Sequence, residues 1–127
     1  MEKSTHILNN LDVNFSALLN QMYKHNCLDL TSRKGKSIWR LFVSTYQLHN
    51  YHLFFMNLNY TQDDIITFIH EMGHSIHNEL IKPLEIRQYI EIPAETAELA
   101  SMTMELFSLN YWDTFYTDKK RFKTSKN

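Results

Sequence analysis

Glycine, proline and cysteine are scarce in this chain, with two, two and one in 127 residues. Tight turns draw on glycine and proline, so a chain this poor in both is expected to be mainly helical with few sharp reversals. One cysteine closes no internal disulfide. That excludes a disulfide-stapled secreted scaffold and suits a reducing cytoplasm. Cys27 ends a helical pattern, where a lone thiol reads as packing rather than as a nucleophile. No stretch approaches the roughly 18 apolar residues of a membrane span, and the opening "MEKSTHILNNLDVNF" lacks the apolar run of a signal peptide. Neither charge sign is in surplus: 13 basic and 14 acidic residues give a formal net charge of -1. Neither a nucleic acid nor a membrane is therefore an expected partner. The one basic cluster, "DKKRFKTSK" near the C-terminus, reads as a solvated end.

What is present supports a folded core. Hydrophobic residues make up 43% and aromatics 13% of the chain, which argues against disorder and for one domain or a piece of one. Val13, Leu18 and Met22 have helical spacing within residues 10 to 27, with Asn10 or Asn14 as the cap. "TSRKGK" is a polar turn around Gly35. "SIWRLFVSTY" (37–46) and "YHLFFMNLNY" (51–60), separated by "QLHN", predict a β-hairpin. Thr61 and Asp64 mark a helix start, and Pro83 follows its expected stop near Leu80. Pro93 suits the first turn of another helix, running from about Ala94 to Asn110. Residues 112–122 are a further short helical stretch. The expected fold is mainly α with a small β-hairpin.

The chemistry concentrates in "TFIHEMGHSIHNEL" (67–80). On a helix, Ile65, Ile69, Met72, Ile76 and Leu80 form one stripe, expected to face the core. His70, His74 and His77 fall on the other side. His70 and His74 are four residues apart, so their rings project from adjacent turns and can take two corners of a zinc tetrahedron. Glu71 is one residue round, placed to touch a water rather than to ligate. This is the H-E-x-x-H arrangement of two ligands and a general base on one helix. Gly73 costs the helix roughly 1 kcal/mol against Ala and permits another backbone to come close. The motif recurs by chance often enough that a third ligand is required. In "PAETAELASMTMELFSLN", Glu98, Ser101, Glu105 and Ser108 share one helix face, opposite Leu99, Thr103 and Phe107. A carboxylate from this face would complete a His₂Glu site with an open fourth position. Glu98 is the preferred ligand, Glu91 and Glu95 are alternatives, and Glu105 could hydrogen-bond a ligating histidine.

The Arg-Lys-Gly-Lys turn, the apolar strand ending in Met-Asn, the Thr-x-Asp-Asp helix start, His-Glu-x-Gly-His-x-x-His and "AELAS" together resemble the oligoendopeptidase F and thimet oligopeptidase family of zinc metallopeptidases. The resemblance covers roughly residues 28 to 110, within a single partial catalytic domain spanning 1–127. It implies zinc ligands His70, His74 and Glu98 and general base Glu71. The spacing of 28 residues from His70 to Glu98 fits that pattern. It further implies a zincin-like active-site helix, a second helix carrying the third ligand, one Zn²⁺ per chain and oligopeptide substrates. Its members are several times longer. A helical region before this segment and a tyrosine- and histidine-bearing segment after it lie outside this chain, so a companion polypeptide is an expected partner. The glycine-rich stretch that follows the Arg-Lys-Gly-Lys turn in the family is here "SIWRLF". Three readings stay open: an endopeptidase core, a zinc-binding remnant or split fragment of one, or a non-enzymatic helical module carrying the motif by chance. His77 is, with Glu105, a candidate for supporting the metal ligands from behind; His77, Tyr89, Tyr111 and Tyr116 are the candidates for stabilising an oxyanion.

Overall fold

Short helices and one small sheet frame a pair of longer helices in the computed structural model, which describes residues 2–36, 42–48, 51–59, 61–86 and 91–114. The chain begins with α1 (Glu2–Leu11) and α2 (Val13–Lys24). The sequence pattern predicts one helix over residues 10 to 27, capped by Asn10 or Asn14; α2 is that helix, and α1 before it left no reading. The cap is instead Asp12: its backbone is extended, and its carboxylate accepts the Asn14 N–H at 2.7 Å. α1 buries Ile7 and Leu8, and α2 buries Leu19 and Met22. Asn26 ends α2 in the left-handed region at φ 56°, and the Cys27 N–H returns to the Met22 carbonyl at 2.9 Å. That turn feeds β1 (Leu28–Asp29), which is too short to leave a periodic signal in the sequence.

β1 pairs in parallel with β3 (Tyr51–Phe55), and β2 (Phe42–Leu48) pairs antiparallel with β3, giving the order β1-β3-β2. The hairpin is therefore present, with a register shift between Ser44 and Gln47. The predicted strand residues 37–41, and 49–50 of "QLHN", lie outside the described residues, as do residues 115–122 of the predicted C-terminal helix.

α3 (Gln62–Ile81) begins with a reciprocal cap. The Thr61 hydroxyl accepts the Asp64 N–H at 3.3 Å, while the Asp64 carboxylate accepts the N–H groups of Thr61 at 3.0 Å and Asn59 at 2.7 Å. The buried arc of α3 is wider than the predicted stripe. It holds Phe68, Ile69, Glu71, Met72, Gly73, Ser75 and Ile76, whereas Leu80 is 67% exposed. Leu80 lies past the end of the core and borders an open apolar groove with Phe15, Leu18 and Tyr51. α4 (Ala94–Ser108) packs along α3 and ends in a 3₁₀ turn, Leu109–Thr114. There the Trp112 indole N–H donates to the Ser108 hydroxyl at 3.1 Å. The core joins α1, α2, β3, α3 and α4 through Leu8, Leu19, Phe54, Phe68, Met72 and Met104. No helix among the described residues is long and apolar enough to cross a membrane.

The Arg-Lys-Gly-Lys turn pins the sheet. Gly35 takes φ 87°, which only glycine adopts without strain. The turn folds Lys36 back so that its ammonium is fully buried. It donates to the carbonyls of Met56 at 2.7 Å, Asp29 at 2.8 Å and Thr31 at 3.1 Å, and to the Asp29 carboxylate at 3.0 Å. Arg33 grips the same carboxylate with both terminal nitrogens, at 2.7 and 2.8 Å. The Arg33 hydrogen bonds, with Lys36 adding to them against a partial burial cost, hold the Asp29 carboxyl down at about 2. A depressed folded-state pKa gives stability that is present above the ordinary aspartate range and lost as pH falls from about 4 to about 2. Asp29→Asn is accordingly expected to melt well below the parent at pH 7. The gap should close at pH 2, read by circular dichroism melts at both pH values; a gap of equal size at both would remove the charge pairing as its cause.

Candidate metal centre

The reciprocal cap fixes the start of α3, and from there the helical repeat dictates where each side chain emerges. His70 and His74 leave adjacent turns on one side, with ring centroids 5.0 Å apart and planes at 82°. Both side chains are about one-fifth exposed. Glu71, one position round, is only 3% exposed. Ligating atoms of His70, Glu71 and His74 lie within 4.8 Å of one another.

α4 brings the second set of groups. Glu98 sits one turn into it, and its side chain is 54% exposed. One carboxylate oxygen lies 3.3 Å from His70 Nε2, and the other 3.7 Å from His74 Nε2. Two turns further, Glu105 Oε1 lies 2.5 Å from His70 Nδ1. Ser101, between them, is fully buried. Its hydroxyl donates to the Glu98 carbonyl at 2.8 Å and lies 3.5 Å from Glu98 Oε2.

These contacts test whether the residues suit a metal ion. With Nδ1–H donating to Glu105, His70 turns a lone pair on Nε2 toward a Glu98 oxygen. A lone pair and a carboxylate repel unless a proton or a cation lies between them. A charge-assisted N–H···O bond is about 2.7–2.9 Å long, shorter than both Glu98 contacts. Two ligands of tetrahedral zinc, each about 2.0–2.1 Å from the ion, lie about 3.3–3.4 Å apart. The observed 3.3 and 3.7 Å sit near that edge length, and the donor set of two imidazoles and a carboxylate is one zinc takes. Glu71 belongs to the same cluster but is buried on the inner side, while Glu98 faces both imidazoles. Glu71 and Glu98 thus approach the two imidazoles from different sides, Glu71 from within α3 and Glu98 from α4.

Burial pushes the Glu71 carboxyl up to about 7; a charged His70 opposes the rise and the Glu98 charge adds to it. A carboxyl held near neutrality is matched to taking up and giving back protons.

The other sequence candidates lie apart from this cluster. His77 is half-buried on α3, and no hydrogen bond or ion pair joins it to His70, His74 or Glu98 among the described residues. Glu91 and Glu95 are exposed at the approach to α4 and in its first turn, outside the cluster. Tyr111 is half-buried against the core, while Tyr89 and Tyr116 lie outside the described residues. Sequence reasoning gave Gly73 a close backbone neighbour without naming it. That neighbour is Ser101 on α4, and the small residues Ala97, Ala100 and Ser101 were the signal for it.

Comparison with known proteins places the chain in a family. The profile of peptidase family M3 matches residues 9–127. The chain is 45% identical to the chromosomal oligoendopeptidase F of Lactococcus lactis subsp. cremoris over 53 residues, 40% of this chain and 9% of that protein. It is 25% identical to an oligoendopeptidase F homolog of Lactococcus lactis subsp. lactis (strain IL1403) over 123 residues, 96% of this chain and 20% of that protein. The chain thus spans a fifth or less of the relatives' lengths. No solved structure gave a significant match. With the family profile covering nearly the whole chain, the protein belongs to peptidase family M3.

Proposed function

We propose that residues 1–127 form part of a zinc metalloendopeptidase catalytic domain that hydrolyses peptide bonds in oligopeptides. The observation that carries the reading is the approach of one Glu98 carboxylate to both His70 Nε2 and His74 Nε2, with buried Glu71 beside them. His70, His74 and Glu98 hold one Zn²⁺. When bound, zinc supplies Lewis acidity toward the scissile carbonyl and lowers the pKa of a water to about 7. Glu71 accepts the proton of the attacking water on its carboxylate and returns it to the departing amide nitrogen. Its burial keeps the carboxyl close to the pH at which both transfers are easy. Glu105 accepts a hydrogen bond from Nδ1–H of His70, which fixes the ring's orientation and leaves the Nε2 lone pair free to ligate. A single buried thiol fits a cytoplasmic setting.

One feature favours a second reading, in which the chain holds zinc but turns over peptide only with further polypeptide. The outer face of α4 is apolar and open to solvent: Leu99, Met102, Leu106 and Phe107 are 65, 59, 63 and 52% exposed. Faces of this kind are normally covered, and a companion polypeptide would cover it while walling the metal site.

Zinc removal and substitution test both readings. A chelator is expected to release about one metal per chain and lower the melting temperature, because the ion binds only the folded state. A chain that takes up no zinc from zinc-containing buffer would end both. Glu71→Gln should keep the metal and lose about 10²- to 10⁴-fold in cleavage of a quenched fluorogenic peptide. Parent and variant equally inert, both zinc-loaded, would favour the second reading. Glu105→Gln should weaken zinc binding about 10- to 100-fold, measured by competition with a chromophoric chelator; unchanged affinity would remove Glu105 from the site.

A further inference from the structure

We infer that Gly73 is a positioning residue for the metal centre: the lack of a side chain there lets α4 cross α3 closely enough for Glu98 to reach both imidazoles. The inference rests on the zinc reading above and adds to it what sets the ligand spacing. Gly73 lies between His70 and His74 in the sequence, and Ser101 is one turn beyond Glu98. A Cβ at position 73 would stand 2.5 Å from the Cα of Ser101, 3.1 Å from the carbonyl oxygen of Ala100 and 3.2 Å from Met104 Cγ. The first two are backbone atoms, so no change of rotamer relieves them. Only the Met104 side chain can swing away.

Carbon atoms pack at about 3.5–4.0 Å, so admitting a methyl group requires α4 to retreat by about 1–1.5 Å at the crossing. Metal–ligand distances tolerate only about 0.2 Å. The retreat is several times that tolerance, and Glu98 moves with α4 because the Ser101 hydroxyl ties its carbonyl into the same turn. His70 and His74 share α3 and keep their mutual spacing. The expected damage is therefore selective: loss of the carboxylate ligand, with the two imidazoles retained. Gly73 costs helix stability relative to alanine, and holding the two helices at ligating distance is what that cost secures.

The test uses the full chain loaded with Co²⁺, whose visible absorption reports ligand type and geometry, together with Zn²⁺ competition and melting of the metal-free protein. Gly73→Ala is expected to bind Zn²⁺ at least tenfold more weakly and to give a Co²⁺ spectrum matching that of Glu98→Ala. Ile76→Ala thins the core one turn on, where α3 meets Phe15 and Leu18 of α2 rather than α4, and serves as the stability control; it should melt earlier yet keep the parent spectrum. A Gly73→Ala protein that melts earlier but retains the parent spectrum, with affinity within twofold, reduces the glycine to a packing residue and overturns the inference. If Gly73→Ala does not fold, Ser101→Thr adds one methyl group from the α4 side of the crossing. The inference then requires a larger loss of affinity than in Ile76→Ala at comparable melting temperature, and equal losses overturn it. Should the parent itself take up no Co²⁺ and be indistinguishable from Glu98→Ala, the zinc reading fails and this inference with it.

Discussion

The contact between α3 and α4 governs everything else in the molecule. α3 contributes the imidazoles and the buried carboxyl, which already cluster on that helix, and α4 adds the two facing carboxylates. What holds them together is apolar packing on either side of a crossing that is bare of side chain. Met72 and Met104 are buried in the shared core, while Gly73 meets the backbone of Ser101. α2 and the sheet brace α3 through Leu19, Phe54 and Phe68, and α1 packs on α2 and reaches α4. Packed interiors transmit displacement because they hold few voids, so the spacing at the crossing carries directly to the ligating atoms.

Electrostatics explains why the two carboxylates of α4 take different partners. Glu105 meets His70 Nδ1 at hydrogen-bonding distance, and Glu98 stands further off from both Nε2 atoms. One imidazole ring is thus used at both nitrogens, and the longer contact is the one with room for a cation. Glu71 is next in sequence to His70 but turned into the protein, which separates a group that takes protons from groups that ligate. Burial is the largest part of that division: it raises the Glu71 carboxyl, with the Glu98 charge adding and His70 opposing, while Glu98 itself is about half exposed.

Local chemistry was readable where it left a local pattern. The Thr61–Asp64 cap, the start of α4 after Pro93 and the hairpin all follow from neighbouring residues. The helix predicted over residues 10 to 27 is α2, which Asp12 caps in place of Asn10 or Asn14, and α1 before it went unread. β1 went unread because two residues carry no periodicity, and its existence depends on the sheet edge it joins. Leu80 fitted the apolar stripe by angle but lies beyond the reach of the core. Glu98 and Glu105 could be grouped on one face from the sequence. Which histidine nitrogen each would meet depends on how α3 and α4 cross, and that is a tertiary fact. The family resemblance implied Glu98 as the third ligand, a choice that spacing alone left open among Glu91, Glu95 and Glu98.

α4 is amphipathic in an inverted sense, and this bears on how the site forms. Toward α3 it presents Ala97, Glu98, Ser101, Glu105 and Ser108, with Met104 as its one large apolar anchor; Leu99, Met102, Leu106 and Phe107 point to solvent. Hydrophobic burial against α3 is correspondingly thin for a helix of this length, and two carboxylates face the histidine pair. Opposite charge between the helices would offset both weaknesses. In the proposed site, a divalent ion held by Glu98 and the two imidazoles would add a link that the unfolded chain cannot make, so ligation and docking of α4 would strengthen each other. Cover on the outer face acts on the same equilibrium from the other side, by burying Leu99, Met102 and Leu106. The docking of this one helix is therefore where metal, substrate-site geometry and any covering polypeptide become thermodynamically coupled.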